Sequence, residues 1–192
     1  MRTRTAAGRG AGVEIAAAGR GPGVEIALLN PNRYSEAAAR RLRPWLGELL
    51  AALAPAGCGS LGVRFAGDRA MRQANSRFRG KDQTTDVLSF PGGGLARGHA
   101  TTKGGASGGG DPAGGDGHLG DILISVPAAR RQAAGAGRAT EREIRVLLLH
   151  GVLHCLGHDH ETDGGEMERL ERRLRRRWIG APAPRRTVRR AR

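Results

Sequence analysis

Four of the six histidines in the chain lie in one short, otherwise apolar stretch, Leu-Leu-Leu-His-Gly-Val-Leu-His-Cys-Leu-Gly-His-Asp-His at residues 147–160. His150 and His154 are four residues apart, so on a helix they lie one turn apart on the same face. Gly157 is a typical residue for ending that helix, and a reversal there would let His160 approach the other two. Three neutral imidazoles suit zinc and leave a fourth coordination position open. The spacing therefore predicts one zinc ion per chain, bound by His150, His154 and His160 in a site of the catalytic type.

The residues around these histidines have predicted roles of their own. Asp159 is a candidate to orient a ligating imidazole through its other ring nitrogen, and His158 is a second candidate beside it. Cys155 points away from the ligand face, so we interpret it as a small apolar filler. The competing interpretation is that the histidines are separate core residues, which would make their ligand spacing a coincidence.

The glycine after the first histidine limits the possible chemistry. The same histidine spacing occurs in zinc proteases with the motif His-Glu-x-x-His, in which the glutamate is the general base. In this chain that position is Gly151, which has no side chain to accept a proton. A metallopeptidase is therefore a disfavoured hypothesis.

The charge of the chain indicates a polyanionic partner. The formal net charge is +14, and all of the basic residues except Lys81 and Lys103 are arginine. Such an excess favours nucleic acid as the partner, and a simply solvated arginine-rich surface is the alternative.

No apolar run approaches the roughly 20 residues of a membrane span, so no membrane association is expected. The two cysteines, Cys58 and Cys155, form no disulfide framework, which fits the reducing cytoplasm.

Periodicity and turn residues predict four strands and about five helices. We expect the first long helix to begin with Ser35 as its N-cap and to be kinked or divided at Pro44. The helix of the histidines should begin at a capping box that starts at Thr140. The order of elements predicts an α+β fold, with a small mixed four-stranded sheet covered by helices and the zinc-binding helix at its centre. The predicted strands are residues 24–29, 61–66, 85–90 and 119–126, and the predicted helices are 35–53, 68–78, 127–134, 140–157 and 163–178.

The predicted domain organisation is one folded unit with added segments. Residues 1–23 are expected to be a disordered leader, since the segment 7–16 is repeated almost unchanged at 18–27. Residues 24–180 should form the domain. Within it, residues 92–117 are so rich in glycine that a flexible insertion is expected, because little apolar burial would offset the entropy of ordering them. Residues 181–192 are predicted to be a basic disordered tail.

Three segments together resemble a known family. The first is Asn-Ser-Arg-Phe-Arg-Gly-Lys-Asp-Gln-Thr-Thr-Asp-Val-Leu-Ser-Phe-Pro at residues 75–91, the second is Leu-Gly-Asp-Ile-Leu-Ile-Ser at 119–125, and the third is the histidine run at 150–160. They closely resemble the YbeY family of bacterial rRNA maturation factors, which are single-strand-specific, zinc-containing endoribonucleases. The resemblance covers about residues 24–180.

This resemblance implies functional residues at matching positions. The metal ligands would be His150, His154 and His160, and the family's functionally important arginine would be Arg79. Without the resemblance, a surface ion pair of Arg79 with Asp82 or Asp86 would be the preferred interpretation. The chain departs from the family pattern at positions that are not ligands, namely Phe78 for tyrosine, Thr84 for proline, Cys155 for leucine and His158 for tyrosine.

Basic residues of the last predicted helix are candidates for RNA contact. Their charge would give a salt-dependent affinity that does not depend on base sequence. A solvated helix face is the alternative. The chain has only two Trp, one Tyr and three Phe, so base readout by stacking is not expected. The candidates are Arg172, Arg173, Arg175, Arg176 and Arg177.

The leading functional hypothesis is a zinc-dependent endoribonuclease of the cytoplasm. It would act on single-stranded RNA in rRNA precursors, including processing of the 16S rRNA 3′ end, close to the ribosome or its small subunit. The second hypothesis is a ribosome-assembly factor that binds RNA and has a structural metal, and the third is the disfavoured zinc metallopeptidase. The sequence leaves open the general base, the nucleophile, the cleavage site and the oligomeric state.

Overall fold

The structure is a computed structural model that describes residues 19–20, 23–92, 117–159 and 163–180, and its fold is α+β. The predicted leader, insertion and basic tail therefore lie largely outside the described residues. The strands are β1 (Gly19–Arg20), β2 (Glu25–Leu29), β3 (Ser60–Ala66), β4 (Val87–Pro91) and β5 (His118–Ser125). The helices are α1 (Ala39–Leu53), α2 (Asp68–Arg79), α3 (Val126–Gly135), α4 (Thr140–Cys155) and α5 (Glu166–Trp178).

The strands form one mixed sheet in the order β1-β2-β3-β5-β4. The four predicted strands are all present, and the two-residue β1 extends the sheet beside β2. Strands β2, β3 and β5 are parallel, while β4 runs antiparallel to β5 at the other edge. The predicted hairpin of the third and fourth strands is thus confirmed, with Ser89 opposite Ile122.

The two faces of the sheet carry separate apolar clusters because successive side chains of a strand point to opposite sides. Ile122 and Ile124 of β5 lie in the main core with α1, α4 and α5. Leu123, between them, belongs to a smaller cluster with Met71 of α2 and Phe90 of β4. The alternation in β5 therefore places α2 and α4 on opposite faces of the sheet.

Helix α4 is the central helix of the main core. Ten of its 16 residues are buried, which is why its sequence is apolar around most of its circumference. Helix α5 packs against α4 and is tied to α1 by a hydrogen bond of 2.9 Å from Trp45 Nε1 to the carbonyl oxygen of Trp178. Among the described residues, no helix is both long and apolar enough to cross a membrane.

The structure corrects three details of the helix starts. Ser35 is not an N-cap but the first residue of a short 3₁₀ helix, Ser35–Ala37. Thr140 is the first residue of α4, and the N-cap position belongs to Ala139, so the predicted capping box does not form. Pro44 does not divide α1, which continues to Leu53. We attribute this continuity to the buried leucines on both sides of Pro44, which anchor α1 to the core.

At Gly151 the backbone of α4 lies close to the sheet. A Cβ atom at this position would lie 2.8 Å from Cγ2 of Ile122 and 3.1 Å from Oγ of Ser89. The first contact is shorter than a packed interior allows and involves a residue that is fully buried, and the second is tight. The glycine is therefore required by the packing of α4 on β4 and β5.

Replacing Gly151 with alanine should destabilise the protein although alanine is the better helix former. We expect Gly151→Ala to lower the free energy of unfolding by about 1–3 kcal/mol, the usual cost of overpacking a core. Urea denaturation followed by circular dichroism would measure it. Gly135→Ala is the matched control, since Gly135 is helical and a Cβ there meets nothing within 4 Å. Equal stability of the two variants would contradict this account of Gly151.

Candidate metal and RNA site

Helix α4 presents His150 and His154 side by side within its last two turns. The helix ends at Cys155, and Gly157 follows with a φ of +90°, the left-handed conformation expected of a glycine after a helix C-terminus. The chain reversal is secured by a hydrogen bond of 3.0 Å from the His158 amide to the Leu153 carbonyl oxygen. His160, the third predicted ligand, lies outside the described residues.

The two described histidines turn the same ring nitrogen toward one point. Their Nε2 atoms are 3.1 Å apart, and the ring planes are inclined by 77°. Two ligands of a tetrahedral zinc ion with bonds of about 2.0–2.1 Å would be separated by about 3.3 Å. The His150–His154 pair therefore fits two corners of a zinc site. Within the described part of the chain, no group of three or more His, Cys, Asp or Glu side chains is arranged to hold a metal, so the trio stays a prediction.

The histidine pair lines a cleft with a volume of about 220 Å³. On the opposite side, the cleft is lined by the segment that enters and forms β4, and by Arg79 at the end of α2. The structure thus brings together two of the three segments that carried the family resemblance. The lining residues are Arg79, Thr85, Asp86, Val87, Leu88, Ser89, Pro91, His150 and His154.

Arg79 is available for a ligand. The two carboxylates that could have paired with it are bound elsewhere, since Asp82 accepts from Arg72 Nε at 2.6 Å and Asp86 accepts from Gln132 Nε2 at 2.7 Å. The surface ion pair weighed as an alternative for Arg79 is therefore not formed. Arg79 is exposed and makes no ion pair within the described ranges.

Ser89 adds a polar atom that the sequence did not single out. Ser89 lines the cleft, and its Oγ is buried and has no hydrogen-bond partner among the described residues. Buried hydroxyl groups normally do have a partner. A hydroxyl without one is therefore a candidate to bond an enclosed water beside the cleft.

Glu171 is the second polar group that sequence reasoning missed. This buried carboxylate of α5 places Oε1 3.4 Å from Nδ1 of His150 and 2.7 Å from a terminal nitrogen of Arg175. Burial by itself would raise the pKa of Glu171, but the hydrogen bonds from His150 and Arg175 outweigh it and hold the pKa below its usual value. A signal was present in the sequence, because Glu171 falls on the apolar face of α5 between Met167 and Leu174.

The remaining candidates stay predictions. His158 is half-buried and Asp159 is exposed, and neither is among the residues that line the cleft. Of the five candidate arginines on α5, Arg175 is engaged by Glu171, whereas Arg173 and Arg176 are exposed to solvent. The other two make surface contacts, Arg172 with Glu168 at 2.5 Å and Arg177 with the Trp178 ring at 5.6 Å.

Comparison with known proteins agrees with the resemblance in the sequence. Residues 30–178 match the family model described as Endoribonuclease YbeY. Proteins named Endoribonuclease YbeY from Solibacter usitatus and Koribacter versatilis are 45% and 43% identical to this chain over 62% and 61% of its length. One from Myxococcus xanthus is 41% identical over 71% of the chain. The alignments span 65%, 63% and 42% of these three relatives, so the chain covers less than two thirds of their length.

A solved structure supports the fold. The solution structure of a protein from Thermotoga maritima matches with a TM-score of 0.51 and 20% sequence identity. The match covers 81% of this chain and 89% of the Thermotoga maritima chain.

The two cysteines should differ in reactivity. Burial raises the pKa of Cys155 to about 12, so almost no thiolate, the reactive form, is present at neutral pH. The pKa of Cys58 is also raised by burial, but this side chain is partly exposed. We expect iodoacetamide to modify Cys58 in the folded protein, and Cys155 only after unfolding in denaturant, as peptide mass mapping would detect. Modification of Cys155 at the same rate as Cys58 under native conditions would contradict its assignment as an apolar filler.

Proposed function

The chain belongs to the endoribonuclease YbeY family, and on this premise we propose that it is a zinc-dependent endoribonuclease acting on single-stranded RNA. The proposed substrate is an rRNA precursor, with processing of the 16S rRNA 3′ end as the reaction. The proposed location is the cytoplasm, at the ribosome or its small subunit. One observation carries the proposal: Arg79 and the paired Nε2 atoms of His150 and His154 line the same cleft.

The described residues fit a zinc ion in their chemistry as well as in their spacing. Imidazole nitrogen is a common zinc ligand, and both Nε2 atoms are directed to one point. His150 has its other nitrogen toward a carboxylate, as ligating histidines in proteins generally do. His150, His154 and His160 would hold the ion, which would supply a Lewis acid that activates water and offsets charge on the phosphate.

Arg79 would bind the phosphodiester. Its planar guanidinium can donate two parallel hydrogen bonds to phosphate oxygens, and nothing else competes for it within the described residues. Ser89 Oγ is buried and could bond a water enclosed beside the cleft. Arg79 would hold the scissile phosphate between the histidine pair on α4 and the end of α2.

The cleft supports recognition of the RNA backbone more than of its bases. No Phe, Tyr or Trp side chain occurs among the described residues that line it. Base stacking on aromatic rings is therefore not provided there, whereas a net charge of +14 favours phosphate contacts. Exposed arginines on α5, such as Arg173 and Arg176, would add to this affinity.

Gly151 argues against peptide hydrolysis for a structural reason. A Cβ atom at this position would already be 2.8 Å from Ile122 Cγ2, so the backbone leaves no room for the glutamate that serves as general base in His-Glu-x-x-His proteases.

The second hypothesis, an assembly factor with a structural metal, predicts that loss of a ligand unfolds the protein. The enzyme hypothesis predicts a folded protein without activity.

Removing one histidine separates these hypotheses. We expect His154→Ala to retain its circular dichroism spectrum, to lose zinc on purification and to lose cleavage of single-stranded RNA. His118→Ala is the matched control, because His118 is a half-buried histidine that bonds Ser60 at 2.7 Å and does not line the cleft. An unfolded His154→Ala would favour the structural metal, and full cleavage by the zinc-free variant would refute the proposed enzyme.

Arg79 should matter for cleavage and little for folding. Loss of a charge-assisted contact to phosphate typically costs about 1.5–3 kcal/mol, so kcat/KM of Arg79→Ala should fall about 10- to 100-fold. Arg79→Lys should recover only part of this loss, because lysine has no planar fork. Arg69→Ala, which removes an exposed arginine from the first turn of α2, should change kcat/KM less than twofold, because an isolated exposed charge contributes little. Equal effects of the Arg79 and Arg69 substitutions on kcat/KM would refute a contact of Arg79 with the substrate phosphate.

A further inference from the structure

Helix α5 contains two acidic residues that are paired in the same way but lie in different surroundings. Glu168 pairs with Arg172 at 2.5 Å, and Glu171 pairs with Arg175 at 2.7 Å, each at a spacing of four residues. The Glu168 side chain is 70% exposed, whereas that of Glu171 is 11% exposed. A surface pair contributes little, but a buried carboxylate is costly and needs compensation. The burial of Glu171 therefore calls for an explanation that Glu168 does not need.

The explanation lies in the neighbour that only Glu171 has. Its Oε1 is 3.4 Å from Nδ1 of His150, whereas the other ring nitrogen, Nε2, is the one that lies near His154. The same oxygen accepts the hydrogen bond from Arg175. Arg175 thus offsets the charge of the buried carboxylate and fixes its position, while the carboxylate contacts the histidine.

This contact selects a tautomer of the imidazole. An ionised carboxylate can only accept hydrogen bonds, so the nitrogen beside it has to carry the proton. With the proton on Nδ1, the lone pair of neutral His150 is on Nε2, the atom that lies 3.1 Å from Nε2 of His154. The carboxylate therefore sets both the ring orientation and the nitrogen that is available for a ligand.

We propose that Glu171 is a positioning residue for His150, and that Arg175 serves to hold Glu171 in place. Glu171 keeps the Nε2 lone pair of His150 directed at the cleft, where the proposed function requires it, and this inference rests on that function. Arg175 is accordingly assigned to the support of the site rather than to the RNA-binding surface with Arg173 and Arg176.

The proposal predicts an effect on metal binding that depends on which glutamate is changed. Removal of a carboxylate behind a ligating histidine typically costs about 10- to 100-fold in metal affinity. Competition with a chromophoric chelator would measure the zinc dissociation constant of the purified full chain. We expect Glu171→Ala to raise this constant about 10- to 100-fold and Glu171→Gln to raise it less, since the amide retains an acceptor. Glu168→Ala, which breaks the matched exposed pair, should leave it within about twofold.

A second readout needs neither metal nor activity. Long-range proton–nitrogen NMR spectra of the zinc-free protein report which ring nitrogen of each histidine carries the proton. In spectra recorded at a pH of about 8, we expect the Nδ1–H form for His150 in the wild type and in Glu168→Ala. The Glu171 variants should show a mixture of forms. Thermal melts would show whether Glu171→Ala still folds. If Glu171→Ala does not fold, the nearly isosteric Glu171→Gln is compared with Glu168→Ala instead.

The outcomes separate this inference from the proposed function. If the wild-type protein binds zinc and cleaves RNA, but the Glu171 and Glu168 variants match each other in zinc affinity and in the tautomer of His150, the positioning role is refuted alone. If the wild-type protein binds no zinc, the proposed function fails, and the NMR comparison still decides whether Glu171 sets the tautomer.

Discussion

The close contact of helix α4 with strands β4 and β5 at Gly151 is the constraint on which the site depends. Only a residue without a side chain lets the helix backbone come this near to Ile122 and Ser89. His150 precedes this contact directly, and His154 follows it within one turn, so both imidazoles are brought against the segment that forms β4. A larger residue would push the helix away from the sheet and widen the cleft. The same glycine thus sets the width of the site and excludes a general base at its position.

The second element of the site comes from the opposite side of α4. Helix α5 packs on α4 and is tied to α1 through the Trp45–Trp178 hydrogen bond, so its position depends on the main core. From there Glu171 reaches the far nitrogen of His150. The imidazole is consequently contacted by a carboxylate at Nδ1, while its Nε2 lies near His154. Rigid elements fix both sides, which is the arrangement that a precise metal ligand requires.

The sequence predicted the fold well where the pattern of residues acts locally. The alternation of residues along β5 predicted this strand and the two faces on which its side chains lie. Gly157, after the histidine helix, was placed correctly because few other residues adopt its left-handed conformation. The errors at Ser35 and Thr140 concern helix starts, and at Pro44 the predicted division did not occur, while the alternative of a kink stays a prediction. The spacing of His150 and His154 was sufficient to predict that their nitrogens converge.

Contacts between distant segments could not be read from the sequence in this way. The role of Gly151 in packing depends on Ile122, which is 29 positions away, and that of Glu171 depends on a helix that periodicity cannot orient relative to α4. A charged residue on the apolar face of α5 was the available signal, but it does not name its partner.

Net charge gives a further reason for a buried acid at this place. A chain with a formal charge of +14 repels a divalent cation, and neutral imidazoles do nothing to offset that repulsion. Arg79 in the cleft and the arginines of α5 increase the repulsion of a divalent cation locally. Glu171, paired with Arg175, places a carboxylate in direct contact with His150, where low exposure limits screening by salt. The arginines that would attract RNA and the carboxylate that would favour a cation are therefore compatible, because α5 presents them on different faces.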